Sequence, residues 1–288
     1  MTEPFPKIDL HMHTTVSDGT DTPEEILVRV KAAGIGLFSV TDHDAIEGGR
    51  RILSARKADD PAFITGVEFS CKDEEGQYHI LGYGYDPDAE AINRIVQLGH
   101  GYRMKKLLKR LAFLKERFGF TFSEQDVDTL LKTDNPGKPH IGNLMVQKGY
   151  AKGRNEAIRT YINQAHIAEE YVRPEEAIRG ISESGGIPVL AHPPFGNGDQ
   201  LILGEALKNR VEKLMGFGLL GMEAFYSGYT DKLRQEVLAL AEGFGLYVTA
   251  GSDYHGSNKL VKLGDTGMDG RAEIPNGLLR FLQRTEER

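Results

Sequence analysis

One cysteine, Cys71, is the only thiol in 288 residues, and tryptophan is absent. A single cysteine excludes a disulfide framework. It points to a reduced setting in which Cys71 is a buried thiol. No stretch is long and apolar enough to span a bilayer, and Met1–Lys7 lacks a basic segment followed by an apolar run, so neither a membrane anchor nor a signal peptide is expected. These absences together predict a cytoplasmic protein. There is also no global basic excess: the net charge is −7, which argues against a duplex nucleic acid as partner. No internal repeat or low-complexity stretch stands out. The length suffices for a full core in one large α/β domain or two smaller ones.

What the chain does have is histidine and acid at strand ends. Ile8-Asp9-Leu10 runs into His11-Met12-His13, with Asp18 five residues on. In an extended segment residues i and i+2 share a face, so His11 and His13 present two imidazoles to one place, and Asp18 can fold back over them. Thr22-Pro23-Glu24-Glu25 reads as a capping box opening a helix that buries Ile26, Leu27, Val30 and Ala33 and stops at Gly34. A strand over 37–41 then leads to Asp42-His43-Asp44. A helix over 50–58 follows, and then a strand over 62–67 ending at Glu68. A strand over 78–83 carries His79 near its start. After a helical region, a helix opens at Pro174 and a strand over 187–191 delivers His192. Helices near 204–216 and 231–243 bracket a strand over 219–224, and a strand over 246–250 delivers Asp253 and His255. Ile274, Leu278, Leu279 and Phe281 read as a closing segment. The alternation implies parallel strands with right-handed crossovers. Parallel barrels gather the C-terminal ends of their strands at one rim, where their sites lie.

The stretch from about 88 to 175 breaks the alternation. Leu107, Leu111, Leu114 and Phe118 recur at helical spacing, while Arg103, Lys106 and Arg110 share another face. Between residues 100 and 160 there are 13 Lys/Arg against 6 Asp/Glu, so the rest of the chain carries more than the whole net negative charge. This asymmetry marks an inserted helical subdomain with its own role, set over 96–174 between barrel segments 1–95 and 175–288.

Nine groups, His11, His13, Asp18, His43, Glu68, His79, His192, Asp253 and His255, exceed what one ion needs and suit two or three, with a carboxylate such as Glu68 bridging. Imidazole with carboxylate accommodates Mn, Fe and Zn alike. Close divalent ions make hydroxide available near neutral pH and neutralise charge on phosphoryl oxygens, so a metal-bound hydroxide attacking phosphorus is the expected chemistry. A basic insertion would hold the anionic substrate over them. His140, in Gly137-Lys138-Pro139-His140, reads equally as a phosphate ligand or leaving-group acid and as a structural helix-start residue. His100 and His166 read as surface or packing residues. Glu223 reads as a strand residue facing the interior, and Asp42 and Asp44 as groups that orient a ligand imidazole.

Asp9-Leu10-His11-Met12-His13 with Ser17-Asp18-Gly19, Thr41-Asp42-His43, Gly66-Val67-Glu68, Ala191-His192-Pro193 and Gly251-Ser252-Asp253-Tyr254-His255 together resemble the PHP (polymerase and histidinol phosphatase) family of metal-dependent phosphoesterases. The resemblance spans nearly the whole chain. It implies an α/β fold, a distorted (β/α)7 TIM-like barrel, with a trinuclear metal site. By the same resemblance His11, His13, Glu68 and Asp253 would hold one ion. Asp18, His43 and His255 would hold a second, and His79 and His192 a third bridged by Glu68. The insertion resembles that of a subgroup acting on nucleoside 3′,5′-bisphosphates and 5′ ends of short RNA. This implies phosphate contacts from Arg103, Lys106, Lys138 and His140. Asp18, His140, Asp253 and His255 are the residues expected at the chemical step. The chain departs from that subgroup at Pro194-Phe195-Gly196, where relatives tend to have glycine, arginine and tyrosine. It departs again at Phe225-Tyr226-Ser227, where they tend to have Tyr-His-Ser.

The expected substrate is therefore small and doubly phosphorylated, a nucleoside bisphosphate or a short 5′-phosphorylated RNA end. The alternative is a ribose cyclic phosphodiester, opened and then dephosphorylated. Histidinol phosphate ranks lower, since a monophosphate needs fewer cationic contacts, and a non-catalytic metal-binding module ranks lower still. Oligomeric state is not legible in the sequence.

Overall fold

A computed structural model describes residues 6–133, 135–167, 170–198, 200–268 and 273–286. The first helix of the core is built as expected from its cap, while the helix expected over 50–58 and the strand expected over 37–41 each begin two or three residues earlier. β1 (Lys7–Asp9) leads to α1 (Pro23–Ala32), whose Thr22 hydroxyl accepts from the Glu25 N–H while the Glu25 carboxylate accepts from the Thr22 N–H. Ile26, Leu27 and Val30 are buried, whereas Ala33 is the exposed C-cap. β2 (Ile35–Phe38), α2 (Glu47–Ala55) and β3 (Ala62–Phe63) follow, and β1-β2-β3 form a three-stranded parallel sheet.

The second sheet has the order β4-β5-β6-β7-β8, from β4 (Gly66–Asp73), β5 (Gly76–Tyr83), β6 (Ile187–Leu190), β7 (Gly221–Tyr226) and β8 (Tyr247–Gly251). The last three strands run parallel, but β5 is antiparallel to both β4 and β6. That departs from the all-parallel expectation for a physical reason: only Glu74 and Glu75 separate β4 from β5, and a parallel return needs a crossover of roughly a dozen residues. The strand expected over 62–67 is in fact broken at Ile64 and Thr65, and β4 begins at Gly66, where an added Cβ would lie 2.1 Å from Ser39 Oγ, so Glu68 sits near the start of β4 and not past a strand end.

Isolated bridges join the two sheets at both seams. Met12 pairs with Tyr254 and Leu10 N–H donates to Ala250 C=O at one seam; His43 pairs with Glu68 at the other. Asp9 pins the first seam. Its fully buried carboxylate accepts from Ser252 N–H (2.9 Å), Ser252 Oγ (2.6 Å), Gly264 N–H (2.7 Å) and His11 N–H (3.3 Å).

α3 (Glu90–Phe118) takes part in two separate hydrophobic cores. Its first turns bury Ile92 and Ile95 in the main core against α7 (Pro174–Glu183). Its later turns bury Leu107, Leu111 and Leu114 in a separate core with Leu130 of α4 (Glu124–Leu131), Ile141, Leu144 and Met145 of α5 (Lys138–Gln147), and Ala157 after the short α6 (Arg154–Glu156). α8 (Gly204–Gly216), α9 (Asp231–Gly243) and α10 (Asn276–Glu286) cover the second sheet. From the expected closing segment, Leu278 and Phe281 are buried. No helix among the described residues is long and apolar enough to cross a membrane.

The α3–α7 contact depends on Gly180, where an added Cβ would lie 2.5 Å from Ile95 Cγ1, itself buried. Alanine favours a helix over glycine by about 1 kcal/mol, but overpacking a full core costs about 1–3 kcal/mol. Gly180→Ala is therefore expected to lower the urea midpoint with an unchanged slope.

Candidate metal centre and adjoining cleft

Glu68 sits at the middle of the site. Its Oε2 lies 3.1 Å from His13 Nε2, 3.2 Å from His43 Nδ1 and 3.3 Å from His11 Nε2. Its Oε1 lies 2.8 Å from His79 Nδ1 and 3.3 Å from His192 Nε2. Asp253 Oδ1 faces His13 Nε2 and His255 Nδ1, both at 3.4 Å, and His11 Nε2 at 3.6 Å. Asp18 Oδ1 faces His255 Nε2 at 3.2 Å. The structure thus brings together all nine residues singled out from the sequence.

These groups are not arranged to satisfy one another. His11 Nε2, His13 Nε2, His43 Nδ1, His79 Nδ1, His192 Nδ1 and Asp18 Oδ1 are buried without a hydrogen-bond partner of good geometry. Three ring nitrogens crowd a single Glu68 oxygen, which has two lone pairs to offer. Burial by itself would raise the Glu68 carboxyl, but the imidazoles of His79, His11 and His43 outweigh it and hold it well below the usual range. Burial of Asp18 is likewise outweighed by His255 and His43, and that of Asp253 by Lys259 and His255. His13 is pushed up to about 9: burial opposes this, but Asp253 and Glu68 prevail. Burial holds His43 well down, which leaves a neutral imidazole. The cluster is short of positive charge and rich in unshared lone pairs, and the residues present fit divalent cations. Three overlapping donor sets stand out: His13, Asp18, His43 and His255; His11, His13 and Asp253; and His43, Glu68 and His79.

Supporting contacts fix the donors. Glu223 Oε1 lies 2.9 Å from His11 Nδ1, and since a carboxylate accepts, Nδ1 carries the proton and Nε2 is left for the centre. Glu223 Oε2 accepts from His192 N–H at 2.9 Å. Asp42 accepts from Thr14 N–H and Oγ1, both at 2.8 Å, and from Ser17 Oγ at 2.6 Å; Ser17 Oγ in turn lies 3.3 Å from His13 Nδ1. Asp44, His192 and Asp253 adopt left-handed φ of +49°, +26° and +58°. Strained backbone of this kind in non-glycine residues collects where geometry is imposed by surroundings.

Beside the centre lies a cleft of about 260 Å³. Asp18, His43 and His79 line it on one side, and Arg103, Lys106 and Arg110 of α3 with Lys138 of α5 on the other. Arg103 bonds Asp44 Oδ2 (2.5 Å) and Ser70 Oγ (2.8 Å). Gly99, one turn earlier, lets α3 approach, since an added Cβ would lie 3.0 Å from Asp44 Cβ. Lys106 Nζ stacks 3.6 Å over the Tyr171 ring, and Lys138 Nζ donates to Asn163 Oδ1 at 2.9 Å. His140 is placed differently from the other expected phosphate ligands. Its Nδ1 accepts from Gly137 N–H (3.0 Å), and its ring lines a neighbouring groove between α4 and α5.

Sequence reasoning missed two partners of Asp253. Its Oδ2 accepts from Lys259 Nζ at 2.5 Å and from Tyr226 Oη at 2.9 Å. In a regular strand Tyr226 would face away from Glu223, but the register shifts between Glu223 and Phe225, and this bulge aims both at the site. No sequence signal announces a bulge. With Oδ2 held by two donors, Oδ1 is the oxygen left for a cation. Lys259→Met and Tyr226→Phe are therefore each expected to weaken metal affinity by about 10-fold. Titration of the chelator-stripped protein with Mn²⁺, followed by calorimetry, reads this directly, and unchanged affinity in both variants would contradict it.

Residues 9–175 match the family model described as PHP domain. A 5′-3′ exoribonuclease of Haemophilus influenzae is 29% identical over 261 residues, covering 90% of this chain and 93% of its own length. A phosphoribosyl 1,2-cyclic phosphate 1,2-diphosphodiesterase of Eggerthella lenta is 31% identical, covering 86% and 94%. A 3′,5′-nucleoside bisphosphate phosphatase of Chromobacterium violaceum is 28% identical, covering 86% and 87%. Among solved structures, one from Bifidobacterium adolescentis, named as a metal-dependent phosphoesterase, superposes with a TM-score of 0.81 at 25% identity over 98% of this chain and 97% of that one. An amidohydrolase from Chromobacterium violaceum gives 0.78 at 25% identity over 97% and 96%. With its family model matched over more than half its length and its donor residues gathered at one place, the chain belongs to the PHP domain family.

Proposed function

We propose that this chain is a metal-dependent hydrolase of phosphate esters that acts on small phosphorylated substrates, a nucleoside 3′,5′-bisphosphate or a 5′-phosphorylated RNA end. The observation that carries the reading is the juxtaposition of a nine-residue donor cluster with a cleft lined by Arg103, Lys106, Arg110 and Lys138. The names of the relatives from Haemophilus influenzae and Chromobacterium violaceum support it. The two bridged sheets support reading the core as a distorted (β/α)7-type barrel, and the second hydrophobic core supports treating 96–174 as an inserted subdomain.

His11, His13, Glu68 and Asp253 would hold one ion, Asp18, His43 and His255 a second, and His79 and His192 a third that shares Glu68. Divalent ions, when bound, lower the pKa of water and neutralise charge on phosphoryl oxygens. The chain's own groups do the rest. Lys106, Arg110 and Lys138 bind phosphate, with Arg103 oriented by Asp44. The stacked Tyr171 and the 137–139 turn narrow access to solvent. The bond from Gly137 N–H occupies His140 Nδ1; with its ring on the neighbouring groove, His140 would reach a leaving oxygen only through Nε2 and a bridging water.

A second reading, hydrolysis of a ribose cyclic phosphodiester, is favoured by the 31% identical relative from Eggerthella lenta. Phosphate release by the Mn-loaded protein from a nucleoside 3′,5′-bisphosphate, a 5′-phosphorylated oligoribonucleotide, a ribose cyclic phosphate and histidinol phosphate separates the two. Turnover of the first two supports the primary reading, and turnover of the cyclic ester alone replaces it with the second. No turnover of any, with metal confirmed bound, would overturn both.

Two variant predictions follow from the same geometry. Asp18→Ala and His192→Ala are expected to abolish turnover with the fold retained by circular dichroism; near wild-type rates in either would contradict the ligand assignment. Lys138→Glu is expected to raise KM by about 10-fold or more, since it replaces a charge-assisted contact with a repulsion.

A further inference from the structure

The cleft carries two kinds of recognition chemistry. Its cations come from the insertion, whereas the barrel adds a pair of neutral amides, Gln77 and Asn197. Gln77 lies two residues before His79 on β5, so both point to the same face of the strand. Asn197 lies five residues after His192 on the loop that leaves β6. The amide pair is thus attached to the same two chain segments as two of the proposed metal ligands.

The pair is held in place. Asn197 Nδ2 donates to Gln77 Oε1 at 2.8 Å. The loop doubles back through Gly198 N–H to Phe195 C=O (2.8 Å) and Gln200 N–H to the same oxygen (3.1 Å). Gly196 makes the close approach possible: its φ is +61°, and an added Cβ would lie 3.0 Å from the Gln77 carbonyl oxygen and 2.4 Å from Gln200 Oε1. One polar atom is left over. Asn197 Oδ1 is buried and has no partner among the described residues, although the side chain lines the cleft. Buried polar atoms in folded proteins nearly always have a partner, so an orphan on a cleft wall points to a group that arrives with the ligand.

The nature of that group follows from the amides. If both flip together, the bond between them is kept and the leftover atom becomes a donor, Asn197 Nδ2. A hydroxyl both donates and accepts, so it satisfies either orientation. A phosphoryl oxygen only accepts, and it finds stronger charge-assisted partners among Lys106, Arg110 and Lys138. We infer that the Gln77–Asn197 pair binds a sugar hydroxyl of a phosphorylated ribose, so the cleft selects ribose over deoxyribose while the insertion holds phosphate. This inference rests on the phosphoesterase reading above and names the part of the substrate that the cations do not.

The test uses the Mn-loaded full chain, with p-nitrophenyl phosphate as reporter substrate. Adenosine 5′-monophosphate and its 2′-deoxy and 3′-deoxy forms serve as competitors. At least one deoxy form is expected to show a Ki about 10-fold above that of the ribonucleotide, as for loss of one hydrogen bond to a buried polar group. In Asn197→Leu the ratio should fall to within about twofold of unity, because no amide remains to count the hydroxyl. Gln77→Met, which removes the amide that orients Asn197 while keeping its length, should also shrink the ratio, and it stands in if the leucine variant does not fold. Equal Ki values for all three nucleotides in the wild type, or a loss in Asn197→Leu that is the same for all three, would overturn the assignment. If the loaded chain hydrolyses neither p-nitrophenyl phosphate nor any ester of the panel above, the phosphoesterase reading fails first, and the amide assignment falls with it; if only a panel ester is turned over, that ester replaces p-nitrophenyl phosphate as reporter.

Discussion

A buried carboxylate surrounded by five imidazoles is the constraint on which this structure turns. Glu68 is 1% exposed, and its Oε2 is approached by three ring nitrogens, more than its two lone pairs can serve, while two more approach Oε1. Charges are brought this far from water only when something opposite in sign accompanies them. Around Glu68 are Asp18, Asp253 and Glu223, all with oxygens turned toward imidazoles. A centre so rich in lone pairs requires cations, and the surrounding architecture holds the donors in readiness for them. Asp9 ties the β1 end to the loop after β8, Asp42 braces the turn that carries His13, and Glu223 couples His11 to His192. The three left-handed residues Asp44, His192 and Asp253 lie within this braced region, where surrounding bonds can maintain a backbone that would relax if isolated.

The segment around the second apolar core reaches that centre through polar contacts. Its own apolar cluster closes around Leu107, Leu114, Ile141 and Met145, and only the root of α3 enters the main core. Two anchors reach the donor loops. Arg103 seizes Asp44, which follows His43 in the chain. Arg154 bonds Asn258, whose amide donates to the Asp18 carbonyl at 2.6 Å. Asn258 is followed by Lys259, the partner of Asp253. The same short loop therefore touches the insertion and two members of the donor cluster. The part of the chain that brings cations to the cleft and the part that carries the donor cluster are joined by these hydrogen bonds as well as by the root of α3.

Charge is divided in space as well as in sequence. Glu68, Asp253 and Glu223 bring buried carboxylate to the centre, and α3 and α5 bring Arg103, Lys106, Arg110 and Lys138 to the adjoining cleft. The cleft exists because α3 runs unbroken from one apolar core to the other, and because Gly99 lets it come close enough for Arg103 to make its contact.

Some of this was legible residue by residue. His11 and His13 share a face because extended chain repeats every two residues, and the capping box at Thr22 announced α1 by local chemistry alone. The order of His and acidic residues along the chain carried the family, and the helical spacing of Leu107, Leu111 and Leu114 announced the later turns of α3. What escaped were features made by contact between distant segments. The antiparallel β5 follows from a turn too short for a crossover, and the bulge in β7 that brings Tyr226 beside Asp253 has no local signature. Lys259, Asn197 and Gln77 are ordinary polar residues in sequence, and only the converging loops place them on the site. The sequence by itself determined which atoms could bind a cation, since that is a property of side-chain type and strand period. Tertiary structure decided which oxygen faces the centre, which cations face the cleft and which amide is left without a partner, because those depend on three-dimensional neighbours that no local pattern encodes.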